Sequence, residues 1–334
     1  MKTPDHISRI IVALLLCGIA VAQLNSRPPI FRFETDEFWL NLHHFLYALG
    51  RAEAKTNDAE RAAVAGAPNE AKQALESADE QQRKVWAEAV TAYSKGLSLK
   101  DAVFDDRLSA IALALANTHD APNLTGAQID REVRAVLERA APVYRALWWP
   151  RHRAANEQWR SSTQSLVDRY GQTVLIFITK AYGMAWPESG YPVHLAAYAN
   201  WAGAYSTSGD LLVVATNTNA GTRALDGLET VFHEAMHQWD DEMIKLIREA
   251  TRKANVRIPP NLSHALIFFT AGEAVRRAVP EHVPYAEANG IWSRGMMRFK
   301  APIEEEWKAY LDGKGTREEA LTALVSKLAI RKSD

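Results

Sequence analysis

Thr230-Val231-Phe232-His233-Glu234-Ala235-Met236-His237-Gln238-Trp239 carries an HExxH pattern within what reads as one long helix from Asp226 to Ala250. At 3.6 residues per turn, His233 and His237 sit about 40° apart and one turn displaced, so both imidazoles can point at a single ion. Glu234 lies about 100° round from His233, where it can reach a water on that ion without ligating the metal, the position of a general base. Leu228, Val231, Ala235, Trp239 and Leu246 fall on one apolar stripe at helical spacing, and Phe232, Met236 and Ile247 widen it. His233 begins where the stripe stops, so a ligand there is near packed residues yet can face a cleft. The competing reading is two surface histidines flanking a glutamate on a solvated helix face.

Upstream of the motif the pattern is β. Tyr191 to Ala199, Ala202 to Ser206 and Leu211 to Thr216 are short apolar segments separated by turn signals at Asn200-Trp201 and Ser208-Gly209-Asp210, which predicts two or three strands. A strand ending just before the motif helix can offer backbone donors and acceptors to an extended peptide. Before Trp186-Pro187 the chain reads as helix. Asn25 to Phe33 reads as a Pro-containing linker, and helices are predicted from Asp36 to about Lys55, on either side of Gly66-Ala67-Pro68-Asn69, from Ala87 to Ala116, and from Gln128 to Leu147. A further helix from Arg151 to Lys180 has a kink or break at Gly171, with Leu175 to Ile178 readable as a short strand instead. His43 and His44 project off the apolar face of the first helix, as polar flank or core-edge residues. Beyond the motif, a helix from Leu262 to about Val279 ends at Pro280 and Pro284, Tyr285 to Gly295 is irregular, and two terminal helices follow. The expected fold class is α+β and mainly helical: a small sheet and the HExxH helix within residues 186–334, preceded by a helical N-terminal region, 23–185.

The 334 residues, 47% hydrophobic, suffice for a sizeable core. A net charge of −1 with both signs interspersed leaves no electrostatic footprint for nucleic acid or an anionic membrane. Lys2 and Arg9, an apolar run from Ile10 to Ala22 and the small residues Ala20-Val21-Ala22 have the layout of a signal peptide, 1–22. The run is shorter than the roughly 20 residues that span a bilayer, so cleavage after Ala22 and export to the periplasm or medium are expected, with an uncleaved anchor as the alternative. Cys17, the one cysteine, lies within that run after Leu16, where lipid attachment would require a small residue. The mature chain would have no cysteine, so any metal must be held by His, Asp or Glu.

With its motif, an upstream strand and a later helix carrying an embedded glutamate, the stretch from about 190 to 280 resembles the zincin metallopeptidases, specifically the gluzincin type. The resemblance implies Zn2+ held by His233, His237 and Glu273, with Glu234 as the general base that passes a proton to the leaving amine. It implies a peptide or protein substrate and an oxyanion donor, for which Tyr285 is the candidate beside His264 and Tyr191. Projection of the later helix supports Glu273: it falls between Leu266 and Phe269 on an apolar face, where a carboxylate is costly unless paired or metal-bound. Arg276 and Arg277, three and four residues on, are its alternative partners. His264 projects to the opposite side, so it and Glu273 do not serve one ion together, and His264 is the next candidate for third ligand if the Glu273 carboxylate cannot approach the two imidazoles. Asp240 shares the histidines' side and can orient one of them. The segment Thr270-Ala271-Gly272-Glu273-Ala274 lacks the Asn-Glu pairing common among gluzincins. Asp240 and Met243 stand where the metzincin pattern needs Gly and a ligand. The rival functions are hydrolysis of a non-peptide amide at the same site, and a non-catalytic exported binding protein in which the motif is degenerate or accidental.

Overall fold

A computed structural model of the chain describes residues 28–54, 66–207, 211–217, 222–257 and 259–329. The N-terminal apolar run and its expected cleavage after Ala22 lie outside the described residues. No helix among the described residues is long and apolar enough to cross a membrane.

Four strands form one mixed sheet: β1 (Phe31–Glu34), β2 (Tyr191–Ala196), β3 (Ala204–Thr207) and β4 (Leu211–Ala215), in the order β1-β2-β4-β3. The first three in that order run parallel, and β3 closes the far edge antiparallel to β4, with Tyr205 opposite Val213. Side chains alternate across a strand, and here both faces are covered. Leu211, Val213 and Ala215 of β4 with Tyr205 of β3 enter one apolar core; Leu212, Val214 and Ala204 enter another.

The first core is made with the N-terminal helices α1 (Phe38–Glu53), α2 (Gly66–Leu75), α3 (Glu80–Ser94), α4 (Asp106–Ala116) and α5 (Arg131–Leu147). The long helix expected over 151–180 is α6 (Trp149–Leu166), a π turn over Val167–Gly171, then α7 (Gln172–Tyr182). The helix is not broken at Gly171, which keeps helical dihedrals (φ −58°, ψ −37°) at the end of the π turn, and Leu175 to Ile178 is helix, not strand. Trp159, Val174 and Ile178 pack into the second core with α8 (Ala224–Met236), α9 (Asp240–Lys253) and α10 (Leu262–Ala278). Short helices α11 (Tyr285–Ala288), α12 (Met297–Pro302) and α13 (Lys308–Leu311), then α14 (Arg317–Leu328), complete the chain. The sheet is thus sandwiched between helical layers.

Two expectations need correction. Residues 31–33, read as linker, belong to β1, which pairs Phe31 with Tyr191 and Phe33 with Val193. Four residues are too few for a periodic signal, and the pairing depends on a distant contact: Gly190, at φ +79°, lets its turn approach Pro29, whose carbonyl oxygen a Cβ there would meet at 2.4 Å. The motif helix is also not continuous: α8 ends at Met236, and His237–Trp239 form a 3-10 turn before α9. Of the two readings of His43 and His44, solvated flank or hydrogen-bonder at the core, the second holds: both are buried. They bond to the hydroxyls of Tyr93 (2.9 Å) and Tyr205 (3.2 Å), and burial lowers His43 to about 4.

Where the helical layers meet the sheet, the open backbone ends of β2 are satisfied by buried amides. The Asn41 side chain donates to the Leu195 carbonyl (2.9 Å) and accepts from the Ala197 N–H (2.9 Å), and Asn156 donates to the same carbonyl (3.1 Å). Such satisfaction removes a penalty of about 1–3 kcal/mol for each buried polar group otherwise unpaired. It fixes α1 and α6 against the strands that flank the motif helix.

Candidate metal centre

The end of α8 and the start of α10 bring three imidazoles together. Ring centroids of His233, His237 and His264 are 5.3, 5.2 and 5.1 Å apart, and the ring planes are inclined by 74°, 54° and 60°. One ligand nitrogen from each lies within 4.8 Å of the others. His233 Nε2 and His264 Nε2 face each other at 3.2 Å. Burial lowers the pKa of His233 well below its ordinary value and that of His264 to about 4, helped in both by the neighbouring imidazole charges. Imidazole nitrogens gathered within 4.8 Å of one another, two of them kept neutral by burial and none accompanied by a thiolate, form a donor set suited to zinc and other imidazole-binding metals.

His237 is held differently. Its Nδ1 donates to Asp240 Oδ2 at 2.6 Å, and Asp240 Oδ1 accepts from Ser263 Oγ at 2.8 Å. Burial works against the charged imidazole, but the Asp240 hydrogen bond and the Glu234 and Asp240 charges hold its pKa above the ordinary value. A carboxylate on Nδ1 fixes the tautomer and leaves Nε2 as the lone-pair nitrogen, the arrangement of metal-bound histidines. Phe268 supports the other two rings: its centroid is 4.1 Å from that of His233 and 4.7 Å from that of His264, stacked on the latter at 26°.

Glu273 does not join this group. Its carboxylate is buried against the helix's own arginines, with Oε2 accepting from Arg276 Nε at 3.1 Å and Oε1 from Arg277 Nε at 2.9 Å. Arg277 also lies over the Phe177 ring, 4.8 Å from its centroid, and pairs with Asp312, so that side of α10 faces α7 and the C-terminal helices. His264 and Phe268 occupy the face toward α8. The expected separation of His264 from Glu273 therefore holds, but the residue that joins His233 and His237 is the histidine.

Glu234 lines a cleft of about 980 Å³ beside the imidazoles. Its Oε2 accepts from Ser206 Oγ of β3 at 2.9 Å. Burial raises its pKa despite the opposing His237 charge and the Ser206 hydrogen bond, which moves a carboxylate toward the range useful for proton transfer near neutrality. Tyr285 lines the same cleft, its ring 14° from parallel to Phe268 at 6.5 Å. Tyr191 sits on β2 in the core against Trp186 and is not among the cleft-lining residues.

Glu229 is a site residue not anticipated from the sequence. One turn before His233 and buried, it accepts through Oε2 from His282 Nε2 (2.6 Å) and from the Tyr285 backbone N–H (2.9 Å). It therefore ties the segment carrying Tyr285 to the motif helix. A Cβ on Gly272 would meet Pro284 Cβ at 2.6 Å and Glu229 Oε1 at 3.0 Å, so only glycine allows α10 this close. A carboxylate on the buried stripe of an amphipathic helix was the signal available. No family model, curated protein or solved structure matches the chain.

Proposed function

We propose that the chain is an exported zinc-dependent hydrolase of peptide bonds, built on a zincin-like plan with His264 in the place expected for Glu273. The observation that carries it is the convergence of His233, His237 and His264 beside Glu234, on the wall of an open cleft. Three imidazoles leave a fourth position open, as catalytic zinc sites do. A zinc ion held there would polarise the substrate carbonyl and make water acidic near neutral pH. Glu234, its pKa raised by burial, accepts the proton of the attacking water and delivers it to the leaving amine. Ser206 keeps the Glu234 carboxylate turned toward the cleft. Asp240 orients His237 through Nδ1, and Phe268 holds the rings of His233 and His264. Tyr285, which lines the same cleft, is the candidate to donate its hydroxyl to the developing oxyanion. Beside them the edge strand β3 offers its outer backbone to an extended chain.

Metal analysis of protein purified in zinc should find about one equivalent, retained in Glu234→Gln and lost in His233→Ala. Glu234→Gln should lower turnover of a cleaved peptide by at least about 10²-fold. Zinc-replete protein that binds no metal would refute the assignment.

A further inference from the structure

We propose that the cleft wall supplied by the N-terminal helical region is a subsite for a large aromatic or aliphatic side chain of the substrate, an inference that rests on the peptidase reading above. Phe104 is 76% exposed and Trp201 39% exposed, and both line the cleft that holds His233 and Glu234. Large apolar side chains open to solvent in a concave site gain by being covered, whereas scattered ones on a convex surface carry no such meaning.

The placement of both rings is built, not incidental. Trp201 Nε1 donates to Asp101 Oδ2 at 2.9 Å. The other Asp101 oxygen accepts from the Val103 N–H at 2.8 Å, and its carbonyl accepts from the N–H groups of Phe104 (3.2 Å) and Asp105 (2.9 Å). One aspartate thus organises the turn ahead of α4 and fixes the indole against it. Trp201 precedes β3, and Ser206, five residues on, holds Glu234. Even a fully extended chain puts these residues at most roughly 17 Å apart, so the patch lies within a few substrate residues of the reacting bond. Val103 and Leu113 continue the apolar wall from the same segment. Asp106 is the one carboxylate contributed there, which disfavours an acidic side chain. The N-terminal region thereby acquires a task in the reaction: it selects substrate across the edge of the sheet from the metal-facing helices.

The test uses zinc-loaded full-length Glu234→Gln protein and a set of peptides differing at one position as Phe, Leu, Ala, Lys or Asp, with the varied position moved along the peptide. Binding is read by fluorescence anisotropy, and wild-type cleavage of the same set by mass spectrometry. At one register, Phe and Leu should bind about tenfold or more tighter than Ala, Lys or Asp, the scale on which apolar pockets discriminate. Phe104→Ser should abolish that preference, bringing the Phe and Leu peptides to the same affinity as the Ala peptide in that variant; Phe104 is too exposed for this change to threaten folding. Equal binding of all peptides, a preference for Lys, or an apolar preference that survives Phe104→Ser overturns the subsite. Cleavage by wild type without any apolar preference removes the subsite and leaves the reaction standing. Discriminating binding without wild-type cleavage removes the reaction and leaves the subsite.

Discussion

Replacing Asp240 by alanine should weaken zinc binding by about 10–100-fold, on the order of 1.4–2.7 kcal/mol, the usual cost of losing a carboxylate behind a metal-bound histidine. Asp240 Oδ2 is 2.6 Å from His237 Nδ1 and is itself anchored by Ser263, so the pair is directional and preorganised. The His237 side chain is only 18% exposed, which limits how well water can replace the carboxylate. Asp240→Asn, which can still accept from Nδ1 but carries no charge, should fall between alanine and wild type.

The pH dependence separates this account from a general loss of structure. Asp240 raises the pKa of His237, and a proton on Nε2 competes with metal. Below that raised pKa, wild-type affinity is reduced by the competition; without Asp240 the imidazole loses its proton more easily and the competition weakens. The affinity gap between wild type and Asp240→Ala should therefore be widest above the His237 pKa and narrow as pH falls through it. Competition against a fluorescent zinc chelator between pH 6 and 8.5 measures both curves. A gap that is constant with pH, or wild-type affinity in the alanine variant, would show that Asp240 does not act through His237.

His264→Ala should abolish stoichiometric zinc binding, whereas Glu273→Gln should keep it; the opposite pattern, read by metal analysis after gel filtration, would return Glu273 to the ligand set. Because burial already keeps His233 and His264 neutral near pH 7, zinc should release at most about one proton, from His237, below its raised pKa, and close to none above it. Calorimetry in buffers of different ionisation enthalpy counts that proton, and two or more would contradict the electrostatics. The raised pKa of Glu234 means that folding disfavours its charged form, so this contribution is lost as pH rises from the ordinary glutamate range toward the folded value. Glu234→Gln should accordingly raise the melting temperature of metal-free protein at neutral pH by about 1–3 °C, and not at pH 4; an equal gain at both would point to another cause. Gly272→Ala should lower turnover and stability together, since the new methyl group displaces Pro284 and the Glu229 carboxylate that positions Tyr285; unchanged melting would show that α10 yields there without cost.

Much of this site was legible because it rests on local spacing. His233, Glu234 and His237 are placed by one turn of helix, and Asp240 three residues beyond His237 reaches its Nδ1 by the same proximity. The strands of residues 191–216 showed through their apolar runs. β1 did not show, because a four-residue strand is defined by its partner. Tyr191 and Val193, which receive Phe31 and Phe33, are some 160 residues away in sequence.

Glu273 and His264 show where helical projection stops being informative. Projection separated the two correctly to opposite sides of α10 but could not say which side α8 would occupy. Burial of a carboxylate argues for a partner, and a metal is one partner among several. Arg276 and Arg277 answer the need within the same helix: their guanidinium groups reach back one turn to both Glu273 oxygens, while their remaining surface stays exposed. His264 raised no such question in the sequence, since a histidine on a helix can be neutral and needs no countercharge. What moves it from second candidate to first is its surroundings: an imidazole kept neutral by burial, stacked on Phe268, with a nitrogen 3.2 Å from that of His233. Like-facing nitrogens at that distance can share a proton or a metal; in the proposed reading it is the metal, and the Asp240 carboxylate behind the third ring supports that choice.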